Sequence, residues 1–319
     1  MNQKRYTTLL ALSCLLAATQ LACAQDYPSK PVRVIAGSAG SNVDVIARMI
    51  AERLSQNLGQ QFIIDNRSNP AISGPLLAKA APDGYTLMAN SSNVWILPLM
   101  QSVTYDPLKD FAAISLTSQA PNVLLVHPSV PVRTVRDLIA LARIKPGQIN
   151  YSSGGSGGSP HISGELFKSM ARVNIVRIPY KGGGGAVTAV LTGEVALTFA
   201  AAGAAMPYLN SGRVKALAVT SAEPSPLFPG LQTIASAGLP GYESGSTNAM
   251  LAPAGTPPAI VRLLSVEVSK VLQSPDIRIR FTKAGLEAVS STPEQLSTLI
   301  KTQMSSMGKV IREAGIRAN

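Results

Sequence analysis

The chain has 319 residues, 46% of them apolar, 5% aromatic and 14% charged, and its 28 basic against 17 acidic side chains give a formal charge of +11. A chain of this length and apolar content buries a large core and divides into two domains. The basic residues are scattered (Arg48, Arg53, Arg67, Lys79, Arg133, Arg136, Arg143) and aromatics are few, which speaks against a nucleic-acid surface.

The first residues read as an export signal. Lys4 and Arg5 precede an apolar stretch from Leu9 to Leu21, and Ala22-Cys23-Ala24 has the small-x-small pattern of a cleavage site. Removal of residues 1–24 leaves Gln25 to Asn319 as a periplasmic protein. Two competing readings, an uncleaved anchor and a lipid on Cys23, are weaker. The apolar run is broken by Ser13, Thr19 and Gln20, and Leu21 stands one place too late for lipidation. Cleavage takes away Lys4 and Arg5 and no acid, so the charge falls from +11 to +9. It also removes both cysteines, Cys14 and Cys23, leaving neither thiol nor disulfide.

Beyond the signal, short β-rich runs alternate with helical periodicity. Val32 to Ile35 reads as a strand, and Asp44 to Leu58 as an amphipathic helix with Ile46, Met49, Ile50, Arg53 and Leu54 at helical spacing, closed by Gly59. Phe62 to Ile64 and Tyr85 to Met88 are strands, the latter after the turn Pro82-Asp83-Gly84. Val123 to Val126 is an apolar strand. Thr134 opens a helix with Asp137 placed for a capping box. Ile149 to Tyr151 leads into a glycine-serine loop, and a helix runs from Ser159 to about Ala171. Ile175 to Ile178, Val195 to Phe199 and Val214 to Val219 are further strands, and Pro257 to Leu272 and Pro293 to Glu313 are helices. Strand-helix alternation builds parallel sheets covered by helices, and such sheets bind ligands beyond the carboxyl ends of their strands.

Three loops there are rich in glycine and serine: Gly37 to Asn42, Ser152 to Ser159 and Lys181 to Gly185. Glycine admits a ligand close to the main chain, and a helix N-terminus offers unpaired N–H groups to an anion. Lys181 reads either as an attraction for that anion or as a solvated side chain. His161, just inside a helix start, either donates to a bound carboxylate or caps local structure, and the sole tryptophan, Trp95, either walls a cleft or fills the core. Gly154-x-Ser156-x-Gly158 fits the hydrolase nucleophile motif in letters. The chain has only His127 and His161, though, with no acid between Ser156 and His161, so no relay follows in the required order. Walker, zinc-protease and Rossmann motifs are missing, and the separated histidines offer no metal site.

A longer set of segments carries a family resemblance. It includes Pro28-Ser29-Lys30-Pro31, Ala47-Arg48, Asp65-Asn66-Arg67, Pro82-Asp83-Gly84-Tyr85-Thr86-Leu87, Tyr105-Asp106-Pro107 with Lys109-Asp110-Phe111, and Pro121-Asn122-Val123-Leu124. Lys145-Pro146-Gly147, Gly164-Glu165-Leu166-Phe167, Pro179-Tyr180-Lys181-Gly182, Gly238-Leu239-Pro240-Gly241-Tyr242 and Leu251 to Pro257 continue it. In order, from about Tyr27 to the C-terminus, the chain resembles the tripartite tricarboxylate transporter substrate-binding proteins, also called the Bug family.

The resemblance implies an α/β fold of the type-II periplasmic binding-protein kind. Two lobes, each a mixed sheet flanked by helices, are joined by two crossover segments. The expected division is 25–122 plus 251–319 for one lobe and 123–250 for the other, with Val123 to Val126 and Asn248 to Ala252 as crossovers. It implies capture of a small carboxylate-bearing metabolite and delivery to an inner-membrane permease of the tripartite tricarboxylate type, by a monomer with no cofactor and no nucleic-acid partner. The ligand-binding positions it implies are Ser38, Gly40, Ser41 and Asn42 after the first strand, and Ser156, Gly157, Gly158, Ser159 and His161 in the second lobe. Asn90, Ser91, Gly182, Gly183, Ala200 and Asn248 complete the candidate set. The sequence departs from the family at several of these places. Ser38-Ala39-Gly40-Ser41 replaces a Pro-Gly-Gly core, Gly158 and Pro160 stand for Thr and Gln, and Thr247-Asn248 replaces an aromatic pair. Ala200 stands for an acid, which favours a plain organic acid over an amino acid. The alternatives are a small-molecule hydrolase using Ser156 and a receptor that has drifted into sensing.

Overall fold

The computed structural model describes residues 27–67, 69–154, 157–180, 182–313 and 315–317. The expected signal segment, Ser156 and Lys181 lie outside the described residues. Two sheets organise the chain. The first has strands in the order β11-β4-β10-β3-β1-β2, formed by Val32–Ala36 (β1), Phe62–Asn66 (β2), Thr86–Ser91 (β3), Phe111–Ala120 (β4), Ser246–Pro253 (β10) and Glu287–Ala288 (β11). The second has the order β7-β6-β8-β5-β9, formed by Asn122–Val126 (β5), Asn150–Ser153 (β6), Val176–Pro179 (β7), Leu197–Ala201 (β8) and Lys215–Val219 (β9). In each sheet three strands run parallel (β2, β1, β3 and β7, β6, β8), and one antiparallel strand lies beside them (β10 and β5). This is the mixed, two-sheet α/β architecture that the alternating pattern predicts.

Local signals account for most elements. The helix Asn42–Leu58 starts at Ser41, whose hydroxyl accepts the Asp44 N–H, and ends at Gly59, where φ of 70° turns the chain and the glycine N–H bonds to Ser55 O. Its buried face carries Ile46, Met49, Ile50 and Leu54, each contributing about 1.5–3 kcal/mol by leaving water. The capping box at Thr134 and Asp137 is formed, with both side chains bonded to backbone N–H groups. Trp95 is a core residue, fully buried, with its indole N–H donating to Gln303 Oε1 at 2.9 Å.

Several elements, among them the helices Pro70–Ala78 and Pro275–Lys283, are not expected from the sequence, and two differ instructively. β4, Phe-Ala-Ala-Ile-Ser-Leu-Thr-Ser-Gln-Ala, is ten residues long but poor in the branched and aromatic residues that mark strands. Its stability is tertiary, from β10 on one side, β11 on the other and the burial of Ile114 to Ser118. The glycines at 182–185, read as a loop, form the first turn of a helix, Gly182–Leu191. Burial of Ala186, Val187, Ala189, Val190 and Leu191 outweighs a glycine cost of about 1 kcal/mol per residue.

The chain passes between the sheets where only Pro121 separates β4 from β5, and again ahead of β10. Thr220 ties the two passages together. Its hydroxyl accepts the Asn122 N–H at 2.7 Å and donates to Ser244 O at 2.9 Å, while its N–H donates to Asn122 O at 2.9 Å. Gly245 fits between them because a Cβ there would stand 2.7 Å from the Ala120 carbonyl oxygen. Gly245→Ala is therefore expected to cost about 1–3 kcal/mol through forced backbone displacement. Gly184→Ala, whose methyl meets nothing within 4 Å inside a helix, is expected to raise stability by about 0.5–1 kcal/mol. Urea unfolding of the two variants checks both signs, and equal stabilities would contradict the contact.

Candidate functional site

The carboxyl ends of β1 and β3 lie on one edge of the first sheet, and those of β6, β7 and β8 on one edge of the second. β4 ends and β5 begins on these same edges, so the single residue between them brings the edges face to face. The cleft is therefore built from strand-end loops, as the parallel-sheet argument requires.

In the first loop Ser38, Gly40 and Asn42 are exposed and Ser41 is half-buried. A network around the buried Asp44 fixes its shape. Asn66 Nδ2 donates to Gly37 O at 2.7 Å and to Asp44 Oδ1 at 2.8 Å, the Gly40 N–H donates to Asp44 Oδ2 at 2.9 Å, and Arg48 Nε donates to the same carboxylate at 3.1 Å. Burial pushes the Asp44 carboxyl upward, but the hydrogen bonds from Arg48, Asn66 and Gly40 outweigh it and hold it below the usual range. Arg33 and Arg67 both pair with Asp65, Arg67 at 3.0 Å. The arginines nearest this loop are thus engaged with carboxylates of the protein itself.

In the second sheet Gly154 packs on the start of the next helix, with its Cβ position 3.3 Å from the Gly182 carbonyl carbon, so the loop after β6 and the residues Gly182 and Gly183 are brought together. Gly158 is the N-cap of helix Ser159–Ala171 and makes no side-chain cap bond, and because Pro160 has no N–H the first-turn donors there are those of Ser159 and His161. The Ser159 hydroxyl accepts from Asn122 Nδ2 at 2.7 Å, an amide that also donates to Ser163. Below the loop Arg177 on β7 donates from Nε to Ser153 Oγ at 2.7 Å and from Nη2 to Gly154 O at 2.8 Å. Its charge stands beneath the glycines and its fork holds their backbone. No local pattern in the run Val176 to Pro179 marks this arginine.

His161 makes the local bond of its structural reading. Its Nδ1 accepts the Gly157 N–H at 3.0 Å, so the ring is neutral and carries its proton on Nε2. Burial, with the nearby Arg177 charge second, lowers its pKa to about 4. His127 bonds Ser129 at the opposite edge of the second sheet.

The remaining candidates are spread along the first sheet's edge and the crossing. Asn90 is buried, its Oδ1 accepting the Ser91 N–H at 2.8 Å. Asn248 lies opposite Ser91 in β10, its Nδ2 donating to Ser118 Oγ at 2.8 Å and its Oδ1 buried without a partner among the described residues. Ala200 is 3% exposed and packs in the core; the exposed residue at that strand end is Ala201. Gly157 and Ser159, with Ser92 and Asn93, line a cavity of about 400 Å³ at the crossing, and Gly157 faces Met100 across the lobes. Ser92 and Asn93 adjoin the Asn90-Ser91 pair in sequence, and their place on the same strand end is the signal that finds them. Among the described residues no cluster of acids and histidines could hold a metal ion, and no helix is long and apolar enough to cross a membrane.

This fold, with its two facing loop edges, is that of a two-lobe solute-binding receptor. The family described as the tripartite tricarboxylate transporter family receptor matches residues 46–316, and the chain belongs to it. Among curated relatives, BugT of Bordetella pertussis is 32% identical, with 99% of each chain covered. A protein from the tcbD-tcbE intergenic region of Pseudomonas sp. (strain P51) is also 32% identical, over 100% of this chain and 96% of its own. Among solved structures, R. palustris Rpa4515 with adipate is 35% identical with a TM-score of 0.75, covering 92% of this chain and all of its own. MatC from Rhodopseudomonas palustris, with bound malate, is 29% identical with a TM-score of 0.71, covering 89% of this chain and all of its own.

The buried histidine gives the site a pH signature. The unfolded chain protonates His161 below about pH 6.5, whereas the folded chain resists until about pH 4. Its stabilising contribution, roughly 3 kcal/mol, is therefore full above about 6.5 and is lost as pH falls toward 4. Chemical unfolding at about pH 7 and about pH 4.5 is expected to show this loss in the wild type and much less of it in His161→Asn, which keeps an acceptor but does not titrate. Identical pH slopes would contradict the assignment.

Proposed function

We propose that this receptor closes its lobes over a small organic acid in the periplasm and hands it to an inner-membrane permease of the tripartite tricarboxylate type. It acts as a monomer and catalyses nothing, after residues 1–24 have been removed. The lobes we propose follow the two sheets, with the passages at Pro121 and near Gly245. The second boundary thus falls before β10, earlier than residue 251.

The observation that carries the reading is the uncapped start of helix Ser159–Ala171 with Arg177 fixed beneath it. Open N–H groups, the helix dipole and a nearby cation act together on an anion, and each hydrogen bond to a charged group contributes about 1.5–3 kcal/mol. The facing loop adds the hydroxyls of Ser38 and Ser41 and the amide of Asn42. Closure removes water and strengthens these bonds. The candidate residues Asn90, Ser91, Gly182, Gly183 and Asn248 border the same edges. The adipate and malate of the related structures make dicarboxylates the first ligands to try.

Against the hydrolase reading stands the geometry of the histidines. The His161 Nδ1 is taken by a backbone N–H, and His127 sits at the far edge. A general base for Ser156 is not provided by either.

Calorimetry with adipate, malate and their monoamides tests the proposal. We expect the dicarboxylate of the better pair to bind at least about tenfold more tightly than its amide. Arg177→Gln is expected to weaken it by roughly tenfold and Arg177→Lys to recover part of the loss, as a charge effect requires. Equal affinity for acid and amide would overturn the reading.

A further inference from the structure

The serine at the open helix start stands at the end of a chain of hydrogen bonds that begins in the core. Tyr242 is 1% exposed, and its O–H donates to Ser163 O at 2.8 Å. A carbonyl oxygen can only accept, so this bond fixes the direction of the tyrosine proton. The Ser244 hydroxyl donates to the Tyr242 oxygen at 3.1 Å. Ser163 Oγ stands 2.7 Å from Ser244 Oγ. Because the Ser244 proton is engaged by Tyr242, Ser163 is the donor of this pair. Its other acceptor, Ser159 O at 2.9 Å, would use the same proton.

The next bond follows from that count. Ser163 has no proton left for Asn122, so the atom of Asn122 that faces it at 2.7 Å is the amide nitrogen and not the amide oxygen. The same nitrogen lies 2.7 Å from Ser159 Oγ and donates its second hydrogen there. An amide NH₂ group does not accept, so the Ser159 proton points elsewhere. The Ser159 side chain makes no other hydrogen bond among the described residues, and it lines the space between the lobes. Asn122 is held firmly. It is 1% exposed, its N–H donates to Thr220 Oγ1 at 2.7 Å, and its carbonyl accepts the Thr220 N–H at 2.9 Å.

We propose that Asn122 is a positioning residue for the ligand: it fills a lone pair of Ser159 Oγ and so turns the Ser159 proton toward the bound carboxylate. The inference rests on the carboxylate reading of the helix start. Ser159 then adds a side-chain donor to the backbone donors beside it, and that donor is aligned before the ligand arrives. A hydroxyl left free among three staggered positions binds about threefold more weakly than one already fixed. Asn122 itself does not line the cavity, so it acts through Ser159 and not by contact with the ligand.

The test is a double-mutant cycle on the whole protein, with malate and adipate titrated by calorimetry into the wild type, Ser159→Ala, Asn122→Asp and the double variant. Aspartate keeps the shape of asparagine but only accepts, so it draws the Ser159 proton away from the ligand. Each single variant is expected to weaken the tighter-binding dicarboxylate about tenfold or more, through loss of one hydrogen bond to a charged group. In the Ser159→Ala protein, Asn122→Asp is expected to weaken it at least about fivefold less than in the wild type, because the aspartate charge alone then acts. Asn122→Leu, which adds no charge, replaces the aspartate variant if that fails to fold. It is expected to weaken binding about threefold in the wild type and to change nothing in the Ser159→Ala protein. An equal factor in both backgrounds overturns the inference and leaves the carboxylate reading standing, and so does a Ser159→Ala protein that binds as tightly as the wild type. A wild type that binds neither dicarboxylate overturns the reading and the inference together.

Discussion

The fold turns on the place where two chain passages lie against each other. At Ala120-Pro121-Asn122 and at Ser244-Gly245-Ser246 the chain moves between sheets, and Thr220 bonds to both passages through its hydroxyl and its backbone. A side chain at residue 245 would meet the Ala120 carbonyl, so the two passages approach as closely as backbones can. With so little chain between β4 and β5, the carboxyl edge of one sheet must face the carboxyl edge of the other. Helix starts and glycine loops from both lobes therefore point into one space.

Within that space the two edges are built differently. The first loop is locked from below by Asp44, Asn66 and Arg48, and its helix is self-capped through Ser41. The second-lobe helix is uncapped at Gly158, with Arg177 beneath its glycines. One lobe presents a rigid hydroxyl-bearing wall and the other presents the open N–H groups. His161 serves the second edge by holding the Gly157 N–H, which ties the loop's shape to a neutral ring. The crossing also leaves a cavity lined from both lobes, including by Gly157 and Ser159 of the second loop.

Much of this was legible in the residues. Periodicity marked the helices Asn42–Leu58 and Pro293–Glu313, β-branched residues marked β1 and β5, and an apolar run marked β9. Clustered glycine and serine at strand ends marked the loops. What was not legible depends on distance. Asn66 stands 22 residues from the Asp44 it fixes, and Arg177 stands 23 from the Gly154 carbonyl it holds, so neither shows a local pattern. β4 was hidden because alanine and serine carry little strand preference, and its pairing partners come from the far end of the chain. The helix Gly182–Leu191 was hidden for the opposite reason: its glycines read as a turn until the apolar residues behind them pack on the second sheet.

The central claim is that a carboxylate is held chiefly by main-chain N–H groups at the second-lobe helix start, with arginine acting from beneath the loop and not as a clamp. A crystal structure of the protein with its tightest-binding dicarboxylate tests this most directly. The account predicts a carboxylate within hydrogen-bond distance of the backbone N–H groups of Gly158, Ser159 or His161, with Arg33 and Arg67 still paired to Asp65. A ligand carboxylate gripped by both guanidinium nitrogens of Arg33, Arg67 or Arg177, with the helix start unoccupied, would contradict it.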